Sequence, residues 1–156
     1  MHVQPGIKLA IVVAEFNLEI TNKMLKQALK QASELQALTT YVCKVPGSYD
    51  MPIMIQCLLE KDDVDAVVTL GAIVRGETKH DKVIAHALAA KIVELSLQYR
   101  KPVALGVTGP GMNPRQAKAR IKEYANRSVD SAVKMVLRQR EARKSVENPT
   151  YPVVIE

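Results

Sequence analysis

Residues 70–80, with the sequence LGAIVRGETKH, hold the side chains of this chain that are best suited to chemistry. The apolar half is typical of a buried strand, the polar half of a glycine-hinged turn, and a helix is predicted to begin at or just after His80. Backbone N–H groups and the positive end of a helix dipole converge at such a junction, where they favour an anion. The turn adds the Thr78 hydroxyl, the cations Arg75 and Lys79, and an imidazole, a group that exchanges protons near neutral pH.

Strand and helix patterns alternate along the whole chain and would position this segment. Apolar or β-branched runs predict strands over residues 9–14, 38–45, 64–73 and 102–107. Helices are predicted after a cap at Thr21, over residues 52–60, from about His80, after a cap at Asn113 with Pro114 following, and over residues 126–143. This order predicts an α/β three-layer sandwich, in which helices flank both faces of a four-stranded, mostly parallel sheet.

Sheets of this kind bind ligands beyond the carboxyl ends of their strands. The loops predicted at those ends cover residues 15–20, 46–50, 74–80 and 108–112. We therefore expect the functional site to be built from these four loops.

Length and composition restrict the class of protein. A chain of 156 residues with 47% hydrophobic residues predicts one globular domain, assigned to residues 1–144, followed by a tail over residues 145–156. No apolar run approaches the roughly 18 residues that span a membrane, and residues 1–6 show no secretory pattern. Cys43 and Cys57 lack CxxC spacing and are interpreted as two reduced core thiols. We expect a cytoplasmic protein with no membrane partner.

The formal charge of +6 raises the question of nucleic acid. Most cations are dispersed along the chain, and one Phe, five Tyr and no Trp offer few rings for base stacking. We expect no nucleic-acid partner, because the cations can equally serve a phosphorylated small molecule.

The loops carry motifs that occur together in one family. The matching pieces are EFN at residues 15–17, IT at 20–21, VPGSYDMP at 45–52, LGAIVRGETKH at 70–80 and NRSVD at 126–130. In this order and spacing, residues 7–138 resemble the 6,7-dimethyl-8-ribityllumazine synthases. The turn at residues 109–112, GPGM, is most similar to the archaeal branch. The resemblance implies a flavodoxin-like fold.

The resemblance also implies an activity. Members condense 5-amino-6-(D-ribitylamino)uracil with 3,4-dihydroxy-2-butanone 4-phosphate, releasing phosphate and water, in the penultimate step of riboflavin biosynthesis. They use no metal and no organic cofactor. They form homopentamers, in some cases assembled as a 60-mer of twelve pentamers, and each active site lies between two neighbouring subunits.

Site residues follow from the resemblance position by position. Phe16 is implied to stack on the pyrimidine, with Asn17 beside it, and His80 to shuttle protons. The residues implied to bind the uracil and ribityl groups are Gly47, Ser48, Tyr49 and Asp50. Those implied to offer backbone and apolar contact are Ala72, Ile73 and Val74, and those implied to bind the butanone phosphate are Gly76, Glu77 and Thr78. The residues themselves leave plainer alternatives open, namely a core plug for Phe16, a turn for Asp50 and a helix cap for His80.

A second set is implied to come from the neighbouring subunit. Leu105 takes a position that is often aromatic in bacterial members, and Arg120 corresponds to the phosphate-binding arginine. Arg127 and Asp130 are expected to form a pair that orients the site. The alternative for both arginines is a solvated helix face.

The sequence leaves two other functions open. The archaeal type of riboflavin synthase shares the fold, but it needs no butanone-phosphate segment such as residues 76–80. A shell or ligand-binding protein that has lost catalysis would not need Phe16, His80 and Arg120 together.

Overall fold

The computed structural model describes residues 6–156, so residues 1–5 of the predicted domain lie outside the described residues. The strands are β1 (Lys8–Ala14), β2 (Leu38–Val45), β3 (Ala66–Val74) and β4 (Val103–Met112). The helices are α1 (Leu18–Glu34), α2 (Met51–Leu59), α3 (His80–Tyr99), α4 (Pro114–Ala119) and α5 (Ile121–Ala142), and a short 3-10 turn covers Ser48–Asp50.

The four strands form one sheet in the order β2-β1-β3-β4, and all three pairings are parallel. Helices α1 and α5 pack together over one face, and α2 and α3 cover the other. The predicted three-layer α/β sandwich, consistent with a flavodoxin-like fold, is confirmed.

The central strands explain the continuous apolar runs in the sequence. Successive side chains of a strand point to opposite faces, so a strand covered on both faces needs apolar residues throughout. In β1, Ile11 packs in the cluster under α1 and α5, and Val12 packs in the cluster under α2 and α3. The edge strand β2 is only partly buried, in keeping with its more polar sequence.

The start of α1 differs from the prediction. The helix begins at Leu18 and its cap position is Asn17, in the left-handed conformation with φ 61°. Thr21, the predicted cap, is buried inside the first turn, and its hydroxyl finds no hydrogen-bond partner among the described residues. The prediction was wrong because Asn17 tolerates this conformation and lets the helix begin four residues earlier.

Strand β4 extends five residues beyond its predicted end and includes the turn expected at residues 109–112. From Ala72 to Val74, β3 advances two residues, whereas β4 advances four between their partners Thr108 and Met112. The two extra residues form a bulge around Gly109, with φ +105°, and Gly111, with φ +84°. Glycine is required at 109, since an added Cβ would lie 2.5 Å from the Ile73 carbonyl oxygen.

The last two helices meet at Arg120. Asn113 caps α4 through reciprocal 2.9 Å bonds with Gln116, as its sequence predicts. Helix α5 begins at Ile121, five residues before the predicted start, and residues after Ala142 form turns and bends. Over residues 6–156, the structure contains no helix with the length and apolarity to cross a membrane.

The two cysteines occupy the predicted strand and helix. Cys43 lies in β2 and is partly buried against the core, where burial and then the neighbouring Cys57 raise the pKa of its thiol. Cys57 lies in α2 and is exposed, so the prediction of a core thiol was wrong for this residue. The helical position is apolar in pattern, but it points outward.

Candidate active site

A cavity of about 490 Å³ opens at the carboxyl ends of β1, β2 and β3. It is lined by Phe16, Pro46, Gly47, Ser48, Tyr49, Asp50, Ala72, Ile73, Val74, Gly76, Thr78, His80, Asp81 and Ile84. Of the residues predicted to act within one chain, only Asn17 and Glu77 are outside this lining. Three loops far apart in sequence thus meet at the predicted edge of the sheet.

The loop after β1 places Phe16 at the mouth of the cavity. The amide of Glu15 donates to the Val45 carbonyl at 2.7 Å, and that of Phe16 donates to the Pro46 carbonyl at 3.0 Å. These bonds continue the β1–β2 pairing past the strand ends. The Phe16 ring is 72% exposed, so the alternative of a core plug does not describe it. A flat apolar ring held at a cavity mouth is suited to stacking on a heterocycle.

Asn17 anchors this loop from outside the cavity. Its side-chain amide donates to the carbonyl of Ala72 at 2.8 Å, which ties the start of α1 to β3. Because Ala72 lines the cavity, this bond fixes the position of one cavity wall relative to Phe16.

The loop after β2 packs against a glycine of β3. Ser48 is buried, and a Cβ added at Gly71 would lie 2.7 Å from its hydroxyl oxygen. The glycine therefore permits the loop to approach the strand. The Asp50 carboxylate accepts a bond from the Gly47 amide at 2.9 Å, the turn geometry that its sequence position allows, while Tyr49 is exposed.

The segment after β3 forms the polar wall. Residues 75–80 are exposed, and the His80 amide lies 3.4 Å from the Thr78 hydroxyl oxygen. Helix α3 starts at His80, so the positive end of its dipole faces this end of the sheet. The wall combines anion-binding amides, a hydroxyl and an imidazole.

The second predicted set lies elsewhere on the chain. Leu105 and Arg127 line a separate cavity of about 400 Å³ beside the edge strand β4, and Leu105 is 49% exposed. Arg120 Nη1 lies 4.0 Å from the Met112 sulfur. Within one chain, the structure does not bring these residues into the first cavity.

The expected pairing of Arg127 with Asp130 is replaced by other contacts. Arg127 lies 3.8 Å from Glu123, one turn earlier on α5. Asp130 accepts a bond from the Gln31 side chain at 2.7 Å, which joins α5 to α1. Residues three and four apart both neighbour each other on a helix, and of these two acidic residues it is Glu123 that forms the ion pair with Arg127.

Sequence reasoning missed three cavity residues, Pro46, Asp81 and Ile84. Pro46 belongs to the motif at residues 45–52 but was given no role, and Ile84 contributes apolar surface that no motif marks. Asp81 had a signal, a carboxylate directly after the predicted catalytic histidine at a helix start. Among residues 6–156, no three His, Cys, Asp or Glu side chains lie together as a metal site.

Most of the chain is similar to known proteins. The sequence model of the 6,7-dimethyl-8-ribityllumazine synthase family matches residues 6–140. A protein of that name from Pyrobaculum arsenaticum is 49% identical over 139 residues, which cover 89% of this chain and 93% of the relative. Another from Saccharolobus islandicus is 54% identical over 137 residues, covering 88% and 89%. A third, from Metallosphaera sedula, is 53% identical over 135 residues, covering 86% and 89%.

Proposed function

The chain belongs to the 6,7-dimethyl-8-ribityllumazine synthase family, and we propose that the cavity at the carboxyl ends of its strands is where it performs that family's reaction. It is a transferase of riboflavin biosynthesis, which condenses 5-amino-6-(D-ribitylamino)uracil with 3,4-dihydroxy-2-butanone 4-phosphate to 6,7-dimethyl-8-ribityllumazine. The assignment of individual residues to this reaction is our proposal.

One observation supports the assignment most strongly. An exposed aromatic ring, a buried serine loop and an anion-binding helix start come from three distant segments and line one cavity. Phe16 is proposed to stack on the uracil, and residues 47–50 to bind its polar edge and ribityl hydroxyls. Residues 76–78 are proposed to hold the phosphate through their amides and the Thr78 hydroxyl. Glu77 is outside the lining, in keeping with a side chain that points away from an anion.

His80 is proposed to move protons. The condensation forms a carbon–nitrogen bond with loss of water, expels phosphate and closes a ring, and each of these steps transfers protons. In support of this role, His80 lines the same cavity as the apolar residues 72–74 and the proposed phosphate-binding residues Gly76 and Thr78. Such assistance contributes about 10²–10⁴-fold, and alignment of the two substrates supplies further acceleration.

We also propose that the site is completed by a neighbouring subunit. Leu105, Arg120, Arg127 and Asp130 are assigned to the neighbour's half, since they lie away from the first cavity of their own chain. Apolar side chains remain exposed on α3, among them Val83, Val93 and Leu97, and β4 is an open sheet edge. Assembly into a homopentamer would cover such surfaces. Twelve such pentamers could in turn form a 60-mer. Two free thiols are compatible with work in the cytoplasm.

Complementation between two inactive variants tests the shared site. We would co-express His80→Ala and Arg120→Ala chains with different affinity tags and purify mixed assemblies through both tags. In a ring of head-to-tail contacts, random mixing gives about one quarter of sites with both halves intact, so about that fraction of activity should return. Each variant alone should stay far below that level, about 10²-fold or more below wild type for His80→Ala.

The assay follows lumazine by fluorescence against a blank without protein, because the uncatalysed condensation proceeds slowly. Light scattering reports the mass of the assembly. A monomer, or mixed assemblies as inactive as their parents, would refute the shared site. If the wild-type chain gave no acceleration over the blank, the cavity assignment would fail, and lumazine alone should then be tested for conversion to riboflavin.

A further inference from the structure

Asp81 is a buried carboxylate next to the proposed catalytic histidine. Its side chain is 6% exposed and lines the cavity as the second residue of α3. Its Oδ2 accepts a hydrogen bond from the Gly111 amide at 2.9 Å. A buried carboxylate costs free energy unless it is hydrogen-bonded, so the bond from Gly111 offsets part of the cost of burying Asp81.

The partner of Asp81 is the bulge in β4. The two extra residues of that strand turn Gly111 toward the start of α3, and the strand pairing resumes at Met112 opposite Val74. The Arg75 amide then donates to the Met112 carbonyl at 2.7 Å. The bulge therefore holds the chain on both sides of the proposed phosphate-binding segment, at Arg75 before it and at Asp81 after it.

Between these two tethers, residues 76–80 have little support of their own. All five are exposed. The His80 amide makes a long contact of 3.4 Å with the Thr78 hydroxyl, and the Lys79 carbonyl accepts from the Lys82 and Val83 amides at 3.1 and 3.4 Å as α3 begins. An exposed turn of this kind takes its shape from its ends. Loss of one tether would change where the Thr78 hydroxyl and the His80 imidazole stand.

We propose that Asp81 is a positioning residue for the reaction, which acts by fixing the start of α3 to the β4 bulge. The inference rests on the proposed function of the cavity. It assigns to Asp81 the placement of the phosphate-binding segment and of His80, while the uracil side, built on the loops after β1 and β2, is independent of it.

A helix-dipole role is the plain alternative. A carboxylate in the first turn stabilises any helix through its charge, whether or not it accepts a bond from Gly111. The two roles separate on substitution. Asparagine loses the charge but keeps an oxygen that can accept from the Gly111 amide, whereas alanine loses both.

The test compares Asp81→Asn and Asp81→Ala, with Asp62→Ala as a matched control at an exposed aspartate outside the cavity. For Asp81→Ala we expect kcat/KM for the butanone phosphate to fall about tenfold, as for loss of one buried charged hydrogen bond, with KM for the uracil unchanged. Asp81→Asn should recover most of that loss, and Asp62→Ala should behave as wild type.

Amide hydrogen exchange supplies a readout without substrate. Gly111 and residues 76–80 should exchange faster in Asp81→Ala than in wild type or Asp81→Asn. Unchanged exchange and kinetics in Asp81→Ala would overturn the proposal, as would an Asp81→Asn variant as impaired as Asp81→Ala. If wild type failed to accelerate the condensation, the proposed function would be refuted, while the exchange data would still decide whether the tether exists.

Discussion

The two ends of the sheet are built in opposite ways. At the carboxyl end, three loops diverge around a cavity, and an aromatic ring, a hydroxyl and an imidazole remain exposed. At the amino end, side chains are bonded to neighbouring backbone and to one another. The Asp65 carboxylate accepts from the Lys8 amide at 2.7 Å and lies 3.4 Å from Arg140. One end leaves polar groups for a ligand, and the other uses them to stabilise the fold.

Helix polarity contributes to this difference. The parallel βα connections place helix starts at the carboxyl end and helix ends at the amino end of the sheet. Cations are favourable near helix ends. Lys101, which follows α3, donates at 2.8 Å to the carbonyl of Leu59, the last residue of α2, and at 2.8 Å to that of Lys61 just after it. Lys101 and Arg140 thus stabilise the fold at this end of the sheet, which gives part of the positive charge a structural role.

The largest expected effect concerns His80. Replacement of His80 by alanine should lower kcat by about 10²-fold or more if, as we propose, this residue carries protons in the reaction. Stability should barely change, because the side chain is exposed. Steady-state kinetics and thermal melting measure both quantities. His86→Ala, also exposed on α3 but outside the cavity, is the matched control. If kcat fell equally in the two variants, the cavity at the carboxyl end would have no special role in the reaction.

Phe16 provides the next test of that end. Phe16→Ala should raise KM for the uracil about tenfold, by analogy with the roughly 1–3 kcal/mol that an aromatic platform contributes per stacked base. Phe16→Tyr keeps a flat ring and should stay near wild type. Because Leu105 offers no second ring, the loss of Phe16 has no aromatic substitute in the proposed shared site. An unchanged uracil KM in Phe16→Ala would show that the ring does not stack.

Periodicity and turn chemistry predict much of the fold. The apolar run of β1 requires burial on both faces, and Asn113 followed by Pro114 marks the start of α4. The contacts that shape the cavity are harder to predict from the sequence. Asn17 bonds Ala72, 55 residues away, and Asp81 bonds Gly111, 30 residues away. Such bonds depend on strand register and on the β4 bulge, which local patterns do not determine.

The site residues show the same division. Motifs predict the loops that line the first cavity, because each loop follows its strand directly. They do not indicate that, within one chain, Arg127 lies near Glu123 and Asp130 bonds Gln31, because these contacts depend on helix packing. The assignment of Leu105 and Arg120 to a neighbouring subunit stays a prediction, because it depends on contacts between chains.

Asp65 tests the amino end. Asp65→Ala removes the acceptor of the Lys8 amide and one partner of Arg140, and should lower the free energy of unfolding by about 1–2 kcal/mol. Activity per folded chain should remain at the wild-type level, since Asp65 is at the opposite end of the sheet from the cavity. Urea unfolding at fixed protein concentration measures the change, with Asp62→Ala as control. Loss of activity without loss of stability would contradict the division between the ends.

The smallest effect is a pH dependence at Tyr41, also toward the amino end. A hydrogen bond from its hydroxyl to the Asp63 carboxylate at 2.7 Å, then burial and the charge of Asp63, raise the Tyr41 pKa above its ordinary value of 10.0. The unfolded chain therefore loses this proton first as pH rises. The stabilisation is fully present below about pH 10 and is lost as pH rises through the higher pKa of the folded state.

Tyr41→Phe isolates this contribution, because phenylalanine keeps the ring over which Lys61 lies at 5.1 Å. Wild type should be more stable than the variant at neutral pH, and the difference should shrink above about pH 10. Titration of the other tyrosines cancels in the difference, since both chains contain them. A difference that stayed constant with pH would mean that the Tyr41–Asp63 bond contributes nothing in solution. A difference that shrinks as expected, with lumazine formation unchanged in Tyr41→Phe, would place this bond with Asp65 among the contacts that stabilise the fold without serving the site.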